Sequence, residues 1–400
     1  MLLNKIQLFN FRNYEGQQIN FNKSFNYLYG NNGEGKTNIL EAISFISFGK
    51  SFLNSSETDC VKFDTVAFDV DGLYENEIGT EYNVHLNYDS ILKKKTFHLN
   101  KEKVTRWSND IFGRFPVVFL SPHSLEITYG NPSERRKFFD ILLAQTSRVY
   151  LDFLRNYVRI LKQKNALLKN QLNGNALSGR DFRNVLNSVN EKMVEYAAAI
   201  LMRRFELLNK FMAYFTENFS FLTQNEDVPN IRYSCDFLDI DKYVQNEEVI
   251  ISIEEVETAM KEALERKQAE EMARGLSVAG PHKDDYVFRL TKKTGSLKPF
   301  ELKNFASQGE HKTFVIALKL AEYHFLKDNL GNAPILLLDD LLSELDSERV
   351  TKIISHLKNY VQIFLTTTGL GYSKELTEFY DKGSINYFKI ENGRVVEQQD

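Results

Sequence analysis

The chain has 400 residues, more than one compact domain usually holds, which predicts two or more lobes. An apolar fraction of 42%, with 31 Phe and 19 Tyr, supplies core material and excludes a disordered chain. A net charge of −4 excludes a broadly basic nucleic-acid binder, so any DNA contact needs a local basic patch.

The opening stretch, MLLNKIQLFNFRNYEG, lacks a charged segment followed by a long apolar run and does not read as a signal peptide. No apolar run reaches membrane-spanning length, so no membrane-spanning segment is expected. Cys60 and Cys235 make neither a disulfide framework nor a metal-ligand spacing, which suits a reducing, cytoplasmic setting.

Residues 1 to about 130 read as mostly β with one or two helices. KIQLFNF and FNYLYG look like strands, and Ile39, Leu40, Ile43 and Ile46 then recur at helical spacing. EYNVHLNYD alternates, turns at Asp89-Ser90 and returns as ILKKKTFHL, which is a hairpin signal. At NPSERRKFFDILLAQ (131–145) Asn131 is placed to cap a helix, Pro132 suits its first position and Glu134 completes a capping box. From there to about 274 the chain reads as helical and charge-rich. LNGNALSGRD (172–181) is the expected turn between two long antiparallel helices, an arm or lobe. After GLSVAGPHKDD (275–285) the β pattern returns in YVFRL and a KKTGS turn. The helix FVIALKLAEYHFLKD, the apolar strand PILLLDD, another helix and the strand QIFLTTT complete the order. The expected architecture is an α/β domain, residues 1–130 and 275–400, split by a helical lobe at 131–274.

Gly30-x-x-x-x-Gly35-Lys36-Thr37 matches the phosphate-binding pattern G-x-x-x-x-G-K-[ST], with a strand before it and a helix after it. The loop residues Gly30, Asn31, Asn32, Gly33, Glu34, Gly35, Lys36, Thr37 and Asn38 are the expected ATP-binding segment. Backbone N–H groups and the positive end of the helix converge there on phosphate oxygens. Lys36 is assigned to the β and γ phosphates and Thr37 to Mg²⁺. The metal also needs a carboxylate, and ILLLDD (335–340) supplies Asp339 at a strand end. Asp340 is the expected catalytic group, placed to orient or deprotonate the attacking water.

A GTPase would carry Asn-Lys-x-Asp, and the Asn-Lys pairs at positions 4, 22, 100 and 209 all lack that aspartate. In FASQGEHKTFVIAL (305–318), Ser307 is placed to cap a helix and Gly309 allows close backbone approach. Such a helix N-terminus is a second anion site. One subunit has no evident use for two of them around one nucleotide. A head-to-tail homodimer does.

This motif order resembles ABC-type and SMC-like ATPase heads, and most closely the RecF family. GNNGEGKTNILEAI, GKSFL (49–53), VVFLSPHSLEI (117–127), GNPSERRKFFD (130–140), GPHKDD (280–285), SQGEHKT (307–313) and LLLDDLLSELD (336–346) resemble RecF blocks in RecF order. The resemblance spans essentially the whole chain.

It implies a split ATPase head and a weak Mg²⁺-dependent ATPase used as a switch. Ser307, Gln308, Gly309 and Glu310 would be a signature contacting ATP across an ATP-dependent homodimer. Ser343, Glu344, Leu345 and Asp346 would form the loop meeting the opposite subunit. Thr366, Thr367 and Thr368 end the last core strand, and Thr367 and Thr368 are assigned as γ-phosphate sensor. Arg12 would approach the nucleotide. SPHSLE contains no glutamine for the metal-contacting role that relatives place nearby. The implied task is DNA replication, repair and recombination at single-strand gaps, with RecO and RecR as partners. The alternative is the nucleotide-binding subunit of a membrane or protein partner.

For DNA, the basic clusters are Lys93-Lys94-Lys95, Arg135-Arg136-Lys137 and Arg203-Arg204. Each also reads as a solvated face, and Arg135-Arg136 also as a lobe-junction pair. His282, Asp284 and Asp285 read as metal ligands or as a polar network, of which the network is preferred.

Overall fold

A computed structural model describes residues 1–174, 178–223, 227–293, 298–342, 347–381 and 383–399. Two compact units divide the chain: Met1–Leu125 with Val315–Asp400, and Glu126–Phe314.

The first unit contains two six-stranded sheets. One runs in the order Arg394–Gln399, Ile385–Glu391, Phe25–Tyr29, Gln362–Thr367, Ile335–Asp339, Val117–Leu120. It is parallel except at the Ile385–Glu391/Arg394–Gln399 edge hairpin. Ile335–Asp339 and Gln362–Thr367 are buried along their whole lengths, as interior parallel strands are. Their register sets Asp339 opposite Thr366, which in turn lies opposite Leu28. The carboxyl ends of three strands therefore meet where the loop 30–35 begins, the usual ligand edge of such sheets.

The other sheet is antiparallel and includes the expected hairpin, Glu81–Asp89 with Lys94–Leu99. The helix Lys36–Phe48 follows the loop and is buried on nearly all sides. Ile39, Ile43 and Ile46 join a core with Leu3 and Val70 of one sheet and Leu337 of the other. Phe11, Phe45 and Phe68 pack edge to face at centroid distances of 5.1–5.7 Å, fixing the helix against the antiparallel sheet.

The second unit holds the helices Pro132–Thr146, Arg148–Leu172, Gly179–Thr223 and Ile253–Arg274. Arg148–Leu172 and Gly179–Thr223 pair, with Leu168 packed on Phe182 and Leu186; residues 175–177 of the expected turn lie outside the described residues. Ser252 and Glu255 form a reciprocal capping box at the head of Ile253–Arg274, and Gly275 (φ 64°) ends that helix.

Three sequence expectations change. Asn131 precedes the helix Pro132–Thr146 but makes no side-chain cap, so the expected box with Glu134 does not form. The helical lobe contains a strand, Asp227–Ser234 (DVPNIRYS), whose internal Pro229 and interspersed polar residues mask the strand pattern. Asp285–Lys292 pairs along its full length with that strand. Residues 275–314 therefore belong to the second unit and not to the head.

A buried charge network ties this unit together. The Arg204 guanidinium is 2% exposed and donates to both Asp140 carboxylate oxygens at 3.0 and 2.9 Å, to Tyr233 Oη at 2.9 Å and to Pro281 O at 3.0 Å. Asp284 accepts from Tyr233 Oη at 2.6 Å, and burial pushes its carboxyl up to about 6. Among the described residues, no helix is long and apolar enough to cross a membrane.

Candidate nucleotide-binding site

Lys36 is the first residue of its helix, behind Gly35 at φ 112°. Its Nζ donates to Gly30 O and Asn31 O, both at 2.7 Å, so the ammonium sits inside the loop it follows. Burial lowers the Lys36 pKa, and Asp340 and then Asp339 oppose that by favouring the charged form. Asn31, Asn32 and Gly33 are exposed and leave the loop's crest open to a ligand.

Thr37 Oγ1 donates to Asp339 Oδ1 at 2.8 Å, joining positions 302 apart in sequence. Thr366 Oγ1 donates to the same oxygen at 2.7 Å. Burial raises the Asp339 pKa, and the two hydroxyls pull against it. A threonine hydroxyl beside a carboxylate is a hard-oxygen donor pair, which fits Mg²⁺.

Asp340, one residue on, has φ 48° and is only half-buried. Its backbone N–H donates to Thr366 Oγ1 at 3.0 Å. Thr366 thus holds both acids, Asp339 through its proton and Asp340 through its lone pair. Of the two residues assigned as γ-phosphate sensor, Thr367 Oγ1 donates to Gly369 O at 2.7 Å, and Thr368 is exposed. The β-register of QIFLTTT, with Thr366 opposite Asp339, is the signal that separates the three. Thr366→Val keeps the side-chain shape and removes both bonds. It is expected to slow ATP hydrolysis about tenfold, measured by phosphate release at saturating ATP.

Arg12, expected to approach the nucleotide, is held by Glu41, Ser55 and Asp59. Its Nε and Nη2 grip both Glu41 oxygens at 2.7 and 2.8 Å, Nη2 reaches Ser55 Oγ at 2.7 Å, and Nη1 reaches Asp59 O at 2.9 Å. Glu41 is fully buried on the helix Lys36–Phe48, so Arg12 neutralises a buried acid on the helix behind the loop. The neighbours of Arg12 in FRNY touch the loop instead. Asn13 Nδ2 donates to Glu34 O at 2.9 Å, Asn38 Nδ2 donates to Asn13 Oδ1 at 2.8 Å, and Tyr14 Oη donates to Gly35 O at 3.0 Å. Sequence reading missed Asn13, Tyr14 and Glu41.

In the second unit, Ser307 Oγ accepts from Glu310 N at 3.3 Å and Glu310 accepts from Ser307 N at 2.6 Å, a capping box at the start of Gln308–Leu330. Lys292 holds the other oxygen of Glu310 at 2.7 Å. Ser307 and Gln308 are exposed, and Phe305 just before them is 74% exposed. Ser343, Glu344, Leu345 and Asp346 lie outside the described residues.

GPHKDD is part of a polar network, as preferred. His282 Nδ1 lies 2.7 Å from Tyr157 Oη, and Asp285 accepts both arms of Arg135 at 2.7 and 2.9 Å. The basic clusters thin out accordingly. Arg135, Arg136 and Arg204 are consumed inside the unit, Arg203 pairs with Glu206, and Lys95 pairs with Glu57. Lys93 and Lys94 stay exposed.

The RecF/RecN/SMC N terminal domain family matches residues 2–382. The DNA replication and repair protein RecF of Streptococcus gordonii is 33% identical over 99% of this chain and 100% of its own length. RecF of Chloroherpeton thalassium is 34% identical over 92% of this chain and 95% of its own. Among solved structures, the recombination mediator protein RecF with ATP superposes with a TM-score of 0.85 at 28% identity, covering all of this chain and 98% of that one. An Smc head domain from Pyrococcus furiosus, at 17% identity and a TM-score of 0.57, shares the fold. With a phosphate loop and an acidic strand end meeting at Thr37 and Asp339, and full-length likeness above 30%, the chain belongs to the RecF family of SMC-like ATPases.

Proposed function

We propose that this chain is an ATP-switched DNA clamp of replication, repair and recombination, working at single-strand gaps and junctions in the cytoplasm. The observation that carries the reading is the Thr37–Asp339 contact beside Asp340. It unites a phosphate loop, a metal carboxylate and a second acid at one sheet edge. The RecF relatives supply the DNA context through their names. No comparable observation favours a transporter subunit.

Lys36 and the loop N–H groups bind the phosphates of ATP. Thr37 and Asp339 would hold Mg²⁺, which would offset phosphate charge there. Asp340 orients the attacking water and accepts its proton. The helix start at Ser307, Gln308, Gly309 and Glu310, exposed at its first two residues, closes on the γ-phosphate held by a second copy. Hydrolysis removes the ligand the two copies share, and the clamp opens. RecO and RecR are the proposed protein partners.

DNA affinity is the direct test. Binding to a gapped duplex is expected to be at least about tenfold tighter with ATP than with ADP, and to weaken steeply with salt. Equal affinity with either nucleotide would sink the switch.

A further inference from the structure

The loop has a second support that its ATP-binding motif does not account for. The edge hairpin Ile385–Glu391/Arg394–Gln399 turns at Asn392 (φ 49°) and Gly393 (φ 68°), a two-residue turn of left-handed residues. Gly393 N donates to Glu34 O at 2.9 Å, the same oxygen that takes Asn13 Nδ2. Asn392 N donates to Glu34 Oε2. The Glu34 carboxylate is therefore turned onto the hairpin, although the sequence placed it among ATP contacts.

Packing repeats the message. A Cβ on Gly393 would lie 2.4 Å from Asn13 O, and a Cβ on Gly30 would lie 2.3 Å from Ile390 O. Backbone from the hairpin thus touches both ends of the loop, at Gly30 and at Glu34. Asn13 closes the bracket by joining Glu34 O to the Asn38 side chain on the first helical turn.

We propose that Glu34 and Asn13 are positioning residues. They brace the phosphate loop between the FRNY turn and the C-terminal hairpin, and so set its grip on ATP. The inference rests on the ATP-binding reading above and adds the part of the chain that holds the loop in its binding shape. Glu34 acts through its bond to a backbone N–H and needs an acceptor oxygen more than a charge. Asn13 needs both its donor and its acceptor.

The test uses the full chain with Mg²⁺ and ATP, and reads ATP affinity, KM, kcat and nucleotide-free melting temperature. Glu34→Ala and Asn13→Ala are each expected to raise KM and the ATP dissociation constant about tenfold, with a smaller change in kcat. Glu34→Gln keeps an acceptor for Asn392 N and is expected to restore most of the affinity, and Asn13→Asp is not. Gly393→Ala, aimed at the hairpin side, is expected to match Glu34→Ala. If the unaltered chain binds ATP and all four losses are absent, the brace is wrong. It is equally wrong if Glu34→Gln is as weak as Glu34→Ala, or if the losses track melting temperature. If the unaltered chain fails to bind ATP, the underlying functional reading falls instead.

Discussion

Asp340→Asn is expected to lower ATP hydrolysis by about 10²–10⁴-fold while ATP binding persists. The local geometry isolates the chemistry. Asp340 sits at φ 48°, a left-handed conformation that asparagine tolerates about as well as aspartate. Its backbone N–H bond to Thr366 Oγ1 is untouched by the change. Asp339 is already committed to Thr37 and Thr366, so it is poorly placed to replace its neighbour as the base. Asparagine keeps the volume and can still orient water, but it cannot accept the proton. A hydrolysis rate unchanged in this variant would remove Asp340 from the mechanism and leave water activation to a group supplied by the second copy.

Lys36→Met is expected to weaken ATP binding by about 10²-fold or more, and with it every ATP-linked property. The Lys36 stem is buried at the head of the helix, and Met fills that space with a similar unbranched chain. What disappears is the ammonium, which bonds Gly30 O and Asn31 O at 2.7 Å. That group is the loop's cation, and desolvation makes its charge-assisted bonds to phosphate stronger than they would be in water. Equilibrium binding of a fluorescent ATP analogue measures the loss. A melting temperature close to that of the unaltered chain would show that the fold is intact.

The phosphate loop and the acidic strand end of the candidate site were legible in the sequence because each is a local pattern. The loop from Gly30 to Thr37 carries its own conformational demands, and four apolar residues before Asp339 announce a buried strand. Pairing Thr37 with Asp339 needed only the knowledge that a metal wants both. What stayed hidden depends on register and on long-range packing. Nothing in TTT says which threonine faces Asp339; the alignment of two parallel strands decides for Thr366. The Arg12–Glu41 pair was not legible because Glu41 is a single buried acid 29 positions away on the helix Lys36–Phe48. Asn13 and Gly393 lie 380 positions apart and meet only after the terminal hairpin joins the sheet. The second unit was read as helical through residue 274 because Pro229 and the polar residues of Asp227–Ser234 hide a strand between long helices. Its pairing with Asp285–Lys292 also moved the lobe boundary to Phe314.

The measurement that tests the central claim most directly is sedimentation of the full chain with Mg²⁺ and no nucleotide, ADP or ATP, alongside Lys36→Met and Asp340→Asn. The account predicts a dimer with ATP alone, its loss in Lys36→Met and its persistence in Asp340→Asn. A mass that ignores nucleotide would contradict it, because the helix start at Ser307–Glu310 would then have no γ-phosphate to close upon.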